Sequence, residues 1–208
     1  MKRLLIATNN QGKVEELHAL LIDIDAELVT PSQIGLDLDV IEDGGTYAEN
    51  ASKKAIAFAH PSGLISIADD TGLEVDALDG APGLYSARYG STDGKKLSDA
   101  ARRKFLIQKL NGFPHPWTAR FKATIAIAIP TEHVTLSEAK SLYLSEGICE
   151  GEIIPEERGT GGFGYDPIFL LTGMGKTMAE LSMDEKNRLS HRAKAVIKAK
   201  GYLRGLFG

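Results

Sequence analysis

The sequence predicts an α/β fold, and three observations carry that prediction. A short apolar run, Leu4-Leu5-Ile6-Ala7, gives way to a polar loop and then to Val14, Leu17, Leu21 and Ile24 at helical spacing. That is the order strand, loop, helix. Two helix starts are written in capping-box form, Thr46-Tyr47-Ala48-Glu49 and Ser182-Met183-Asp184-Glu185. Residues 119–129 alternate large and small side chains, and a second extended run follows at 142–154 as the expected antiparallel partner. Such a pair suits a sheet covered on at least one face.

Taken in order, the first loop is Thr8-Asn9-Asn10-Gln11-Gly12-Lys13. A loop between strand and helix aims backbone N–H groups and the positive end of a helix dipole at an anion. Lys13 adds a full charge there, and Thr8 and Asn10 add donors. The glycine spacing and the absent Gly-Lys-Ser/Thr ending exclude a P-loop, and a plain strand-to-helix connection is the alternative. Residues 26–30 read as a short strand closed by Pro31 and Gly35, and 41–45 as an acidic, turn-rich loop. The helix capped by Thr46 runs to about His60, where Pro61 and Gly63 stop it, and buries Tyr47, Ala51, Ala55 and Phe58. Asn50 and Lys54 lie four apart on another face. They suit a shared ligand or, as the plainer expectation, solvent.

The centre of the chain is Ile65-Ser66-Ile67-Ala68-Asp69-Asp70-Thr71-Gly72-Leu73. It begins with the period-2 alternation of a strand and then delivers two carboxylates, a hydroxyl and a glycine. Neighbours in a strand point to opposite faces, so Asp69 and Asp70 reach one spot only if the strand ends there. A strand end presenting acid at a cleft is the expectation, with an ordinary polar turn as its rival. Asp79-Gly80-Ala81-Pro82-Gly83 is a rigid loop. A helix is expected from about Thr92 to Asn111, with Arg102-Arg103-Lys104 facing water, and 132–140 reads as a solvated connection.

Arg158-Gly159-Thr160-Gly161-Gly162-Phe163-Gly164-Tyr165-Asp166-Pro167 departs from every period, with four glycines in six positions. Such a stretch suits a mobile linker. Phe163 and Tyr165, interleaved with glycine, suit instead a flat ligand stacked on a ring with backbone close by. A strand follows at 168–171. Lys186 lies in the turn opened by the second capping box, and Ser190-His191-Arg192 starts the last helix, whose core face is Ala193, Val196, Ile197, Leu203 and Leu206. Cations in a first helical turn oppose the dipole, a local conflict that points toward ligand work.

At 208 residues the chain is long enough for a substantial core as one domain. The net charge of -4 gives no general surface for nucleic acid or anionic membrane. Any polyanion must then be met by a few placed lysines and arginines. The single cysteine, Cys149, forms no internal disulfide and suits a reducing cytosol. The apolar run after Met1-Lys2-Arg3 is too short for a signal peptide, and no stretch approaches a membrane span. A cytoplasmic location is the expectation.

Taken together, the segments resemble the inosine triphosphate pyrophosphatase (Ham1-like, RdgB-like) family. The resemblance rests on the loop Ala7 through Lys13, Glu49-Asn50-Ala51, Ala68 through Leu73, Gly80 through Tyr89, Gly159 through Pro167, and Ser190-His191-Arg192. Each motif is weak alone, and six in this order are specific. It implies an elongated α/β fold of two lobes around a long mixed β-sheet flanked by helices, one domain spanning residues 1–208, with the active site between the lobes. It also implies a homodimer and magnesium-dependent hydrolysis of ITP, dITP and XTP to monophosphate and pyrophosphate.

Carried over by position, Thr8, Asn9, Asn10, Gln11, Gly12 and Lys13 grip the triphosphate, and Lys54 faces a phosphate. Glu42 and Asp70 hold magnesium, with Asp70 also the proton acceptor and Asp69 its acidic neighbour in the metal or water network. Thr71 stands at a substrate-contacting position more often serine. Phe163, Gly164, Tyr165, Asp166, Lys186, His191 and Arg192 match the nucleoside end, with a 6-oxo group read by donors from Arg192, His191 or backbone N–H groups. Asn9 replaces a common glycine, and Met174 a common acid outside the site. A pyrophosphatase for modified pyrimidines, or a regulator that binds a triphosphate without cleaving it, are the competing readings.

Overall fold

The computed structural model describes residues 2–92, 95–130 and 142–208, so the connection expected at 132–140 lies outside the described residues. The strands are β1 (Arg3–Ile6), β2 (Glu27–Val29), β3 (Ile65–Val75), β4 (Pro82–Gly83), β5 (Trp117–Ala128), β6 (Leu142–Ile153) and β7 (Phe169–Leu171). The helices are α1 (Gln11–Leu20), α2 (Tyr47–Ser62), α3 (Asp99–Leu110), α4 (Met183–Leu189) and α5 (His191–Phe207). Among the described residues the sheet runs β2-β1-β3-β5-β6-β7, with β4 added on β3. It is mixed: β1 pairs parallel with β2 and β3, whereas β4 on β3 and β7 on β6 are antiparallel. The α/β class with a mixed sheet is therefore the observed one.

The chain divides into two compact units, one of Met1–Asp70, Ala123–Gly147 and Arg192–Gly208, the other of Thr71–Lys122 and Ile148–His191. In the first unit the pleat sorts apolar residues to two faces. Leu4, Ile6, Ile67 and Ile125 pack on Leu17 and Leu21 and on Ala193, Val196 and Leu203 of α5. Leu5, Ala7, Ala68 and Ala126 pack on Ala51, Ala55 and Phe58 of α2. The second unit buries Leu73, Leu106, Phe121, Ile168, Phe169 and Met178. No described helix is long and apolar enough to cross a membrane.

Several boundaries move, each for a local reason. β3 does not end at the acids but continues to Val75. Leu73 pairs with Gly83 of β4, so the ladder continues past Gly72. α2 takes Pro61 into its last turn and closes on Gly63 at φ 63°, where Ser62 donates back to the Phe58 carbonyl at 2.6 Å. Thr46 caps α2 as expected, but Glu49 reaches one residue further and accepts the Gly45 N–H at 2.7 Å. α3 starts at Asp99 because Ser98 supplies the cap, accepting from the Ala101 N–H. Its Arg102 and Arg103 side chains are only 12% and 11% exposed, against the expectation of solvent. On α5, Ile197 is 51% exposed while Ala195 and Ala199 line the core.

Two glycines test the packing with opposite signs. A Cβ on Gly151 would fall on the Leu170 carbonyl and 2.6 Å from Phe169 Cζ, whereas one on Gly201 in α5 meets nothing within 4 Å. Gly151→Ala is expected to lose ~1–3 kcal/mol of stability by overpacking. Gly201→Ala is expected to gain ~0.5–1 kcal/mol from helix propensity. Denaturant melts of the two variants check both signs.

Candidate active site

Asp69 and Asp70 are consecutive in an unbroken strand, so their carboxylates leave on opposite faces. Asp69 turns toward α1 and α5. Its Oδ1 lies 3.1 Å from Lys13 Nζ, and its Oδ2 accepts from Arg192 Nε and Nη2, both at 2.9 Å. Arg192 Nη1 donates in turn to Glu16 Oε2. The chain Lys13–Asp69–Arg192–Glu16 is almost wholly sealed, with the Asp69 side chain at 0% and that of Arg192 at 1% exposure. Burial alone would lower the Arg192 pKa, but Asp69 and Glu16 outweigh it and raise the group above its ordinary value. Lys13 keeps 16% exposure at the start of α1. Its ammonium is lowered by burial and by Lys54 and Arg192, against the pull of Asp69.

Asp70 turns toward α2. Its Oδ2 accepts from Asn50 Nδ2 at 3.3 Å, and its Oδ1 lies 3.5 Å from Lys54 Nζ. Lys54 also pairs with Glu42 Oε2 at 3.1 Å. Asn50 and Lys54 are buried, so the solvated face expected for them is not what forms. The two share one ligand, and that ligand is Asp70. Burial would lower Lys54, yet Asp70, Asp69 and Glu42 raise it. The Asp70 carboxyl is pushed up to about 6, by burial first and then by Glu42 and Asp69, with Lys54 and Lys13 opposing.

The loop before α1 has the expected strand–loop–helix order, but Thr8 and Asn10, expected as donors, spend their side-chain oxygens as acceptors within the loop. Asn10 is the N-cap, its side chain accepting from the Lys13 N–H at 3.1 Å, and Thr8 Oγ1 accepts from the Asn10 N–H at 3.2 Å. Asn9, Asn10 and Gln11 are exposed, and Gly12 and Lys13 lie in the first helical turn.

The second unit holds the glycine-rich loop. Lys186 Nζ donates to Asp166 Oδ2 at 2.7 Å, with both side chains 7% exposed. The same oxygen accepts from the Phe163 N–H at 3.0 Å, and Lys186 Nζ sits 5.4 Å from the Phe163 ring centroid. Gly162 (φ 71°) is required here, because a Cβ would fall on Asp166 Oδ2. Tyr165 is buried and its hydroxyl donates to the Ser86 carbonyl at 3.0 Å. Burial raises its pKa above the usual phenol range. The capping box that sets Lys186 in place is complete, and Lys176 and Ser182 hold the Glu185 carboxyl down to about 2. The His191 ring stacks on Phe121 at 4.7 Å and 16°. Thr71, a half-buried residue of β3, opens this unit.

Residues 4–202 match the model of the Ham1 family. The chain belongs to the Ham1 family. It is 45% identical over 206 residues to a dITP/XTP pyrophosphatase of Desulforamulus reducens, covering 99% of this chain and 97% of that one. It is 43% identical to the protein of the same name from Bacillus subtilis, with 95% of each covered. A HAM1 protein from Coxiella burnetii superposes with a TM-score of 0.84 at 34% identity, covering 99% of this chain and 100% of that one. The Ham1 protein of Staphylococcus aureus superposes at 0.80 with 36% identity and the same coverage.

Within this Ham1 chain the residues expected at the phosphate end, Thr8 to Lys13, Glu42, Lys54 and Asp70, all fall in the first unit. Phe163, Gly164, Tyr165, Asp166, Lys186 and His191 fall in the second. Two roles change. Asp69, sealed between Lys13 and Arg192, is placed to hold those cations and has no exposed carboxylate with which to activate water. Arg192, expected to reach a base, has its guanidinium on Asp69 and Glu16. The sequence reading passed over Glu16, Asp99 and Ser86. The one signal for Glu16 was its spacing, three residues beyond Lys13 on α1.

A divalent cation fits the Glu42–Asp70 pair. Both carboxylates converge on Lys54, and burial still pushes Asp70 up to about 6, so its charged form lacks the stabilisation that a bound cation would add. Hard oxygen donors of this number are what magnesium takes from protein beside phosphate oxygens. Among the described residues no group of three or more His, Cys, Asp or Glu gathers for a metal, so this pair would need substrate oxygens to complete a coordination shell.

The raised Asp70 pKa has a definite sign. Between its ordinary 3.8 and about 6, the folded chain holds a proton that the unfolded chain releases. The metal-free protein therefore loses stability as pH rises through that window, by ~1–3 kcal/mol. Asp70→Asn should remove this loss, so that the variant is the more stable form at pH 7 and its advantage vanishes below pH 4. Urea melts in chelator across pH 4–7 measure it, and parallel pH profiles would refute it.

Proposed function

We propose that this Ham1 protein hydrolyses ITP, dITP and XTP to the monophosphate and pyrophosphate, clearing aberrant purine nucleotides from the pool. The observation that carries the reading is Asp70, a buried carboxyl held near neutrality beside Lys54, Asn50 and Glu42. A pure binder of triphosphate has no use for such a base. Relatives that share over 40% of the sequence and bear the name dITP/XTP pyrophosphatase support it.

Water attacks the α-phosphorus, the bond to the bridging oxygen of the β-phosphate breaks, and pyrophosphate leaves. Asp70 takes the proton of the attacking water as general base, and a pKa of about 6 leaves it mostly ionised at neutral pH. Asn50 orients one of its oxygens. Glu42 and Asp70 would hold magnesium, which when bound would supply neutralising charge to the phosphates. Lys54, Lys13 and the N–H groups that open α1 bind the phosphate oxygens, and Asp69 with Arg192 fixes Lys13 from behind.

The base is assigned to the second unit, stacked on Phe163, with Lys186, His191 and backbone N–H groups as donors to its 6-oxo acceptor. Adenine carries a donor at that position. A donor facing a donor in a buried site discriminates by orders of magnitude. A homodimer, as the resemblance implies, and a cytoplasmic location, as the single cysteine suits, complete the proposal.

Pyrophosphate release from ITP, XTP, dITP, ATP, GTP and dUTP, with and without magnesium, tests the reading. Strong magnesium-dependent release from the first three, with little from ATP or GTP, is expected. Release from dUTP alone would overturn it. Asp70→Asn is expected to lower kcat by ~10²-fold or more, the usual range for losing a general base.

A further inference from the structure

The glycine-rich loop has a feature that the reaction itself does not use. Gly164 stands at φ 62°, and a Cβ there would meet nothing within 4 Å. Its glycine therefore answers a backbone demand and not a shortage of space. A glycine between two aromatic residues is the freest joint in the loop, since it loses the most conformational entropy on ordering. Yet both peptide groups flanking its Cα are tied, and both ties come from α3. The Gly164 N–H donates to Asp99 Oδ2 at 2.6 Å, and Arg103 Nη1 donates to the Gly164 carbonyl at 2.8 Å. Holding one peptide plane on each side of a Cα fixes its φ and ψ together.

The two holding side chains are themselves held. Arg102 pairs with Asp99 Oδ1, and its Nη1 donates to the carbonyls of Ala87 at 2.9 Å and Leu97 at 3.0 Å. Arg103 Nη2 pairs with Glu157 at 2.8 Å. Charge-assisted bonds of this kind are about twice as strong as neutral ones. The Phe163 ring is one residue from the clamped joint, and its direction follows from it.

We propose that Asp99 and Arg103 are positioning residues for the nucleoside subsite: they set the Gly164 torsions and so aim the Phe163 ring at the base. This rests on the assignment of the base to that loop. It gives α3, a helix with no residue in the reaction, control over how the base is received. Losing one such clamp weakens base binding and leaves phosphate binding and chemistry alone.

The test compares Arg103→Ala and Arg103→Lys with wild type. The readouts are KM and kcat for ITP, calorimetric binding of ITP, calorimetric binding of inorganic tripolyphosphate with magnesium, and thermal melting. In Arg103→Ala, KM and the ITP dissociation constant should rise ~10-fold, the scale of one lost charge-assisted hydrogen bond. The kcat and tripolyphosphate binding should stay within about twofold of wild type, and Arg103→Lys should recover part of the loss. Unchanged KM, or tripolyphosphate and ITP binding weakened together, would overturn the proposal, the latter marking a merely structural role. A wild type that binds ITP but does not cleave it sinks the catalytic reading and still leaves the clamp to be judged by the binding ratio. A wild type that binds tripolyphosphate with no gain from the nucleoside overturns the clamp with its subsite.

Discussion

Because side chains alternate along a strand, two consecutive aspartates in β3 cannot share a ligand, and the first unit is arranged around that constraint. On one face the strand meets α1 and α5, and Asp69 is answered by Lys13 and Arg192. On the other it meets α2, and Asp70 is answered by Lys54 and Asn50. The apolar residues preceding them follow the same alternation, Ile67 toward α1 and α5, Ala68 toward α2. The register that buries the core therefore also aims the acids. A slip of one residue would exchange both at once, which ties the chemistry of the site to the packing of the sheet.

The elements most legible in the sequence were those fixed by local chemistry. The caps at Thr46 and Ser182 form within four residues of chain, so spacing alone reveals them. The run at 65–73 was read correctly as a strand and wrongly as one that stops. Asp-Asp-Thr-Gly is turn chemistry in isolation, but partners far away in sequence supply the charges that let it stay extended. The same reason hid Asn50 and Lys54, which look like a solvated pair until Asp70 is brought to them. It also hid Arg102 and Arg103, whose acceptors lie on Ala87, Leu97 and Gly164. Long side chains with charged tips carry no local mark of whether they meet water or a carbonyl.

The residues expected at the phosphate end fall in the first compact unit and those expected at the nucleoside end, Arg192 excepted, in the second, and the division is continuous with the chain. Asp70 is the last residue of a segment of the first unit and Thr71 the first of the second, both within β3. His191 and Arg192 are likewise adjacent and assigned to different units. The first unit positions Asp70, Asn50 and Lys54 on strand and helix interiors, where rotamers are set by packing. The second relies on a loop, whose glycines permit a close approach but provide no rigidity of their own. Its precision has to come from outside the loop: from Lys186 on Asp166, Tyr165 on Ser86, and α3 on Gly164.

Asp69 and Asp70 are chemically identical, and their surroundings give them different work. Asp69 is enclosed by a lysine and by an arginine that Glu16 holds in turn, so its charge is matched and its oxygens are occupied. Asp70 is nearly as deep, but its lysine is shared with Glu42 and its nearer contact is a neutral amide. Burial with incomplete compensation is what lifts a carboxyl pKa, and the lift to about 6 follows. A carboxyl so placed is poised to gain or lose a proton near neutral pH, and it favours a cation that would complete the charge balance. The partner network around Asp69 removes it from that competition. Of the two, Asp70 is the one whose surroundings suit the acid–base role proposed for it.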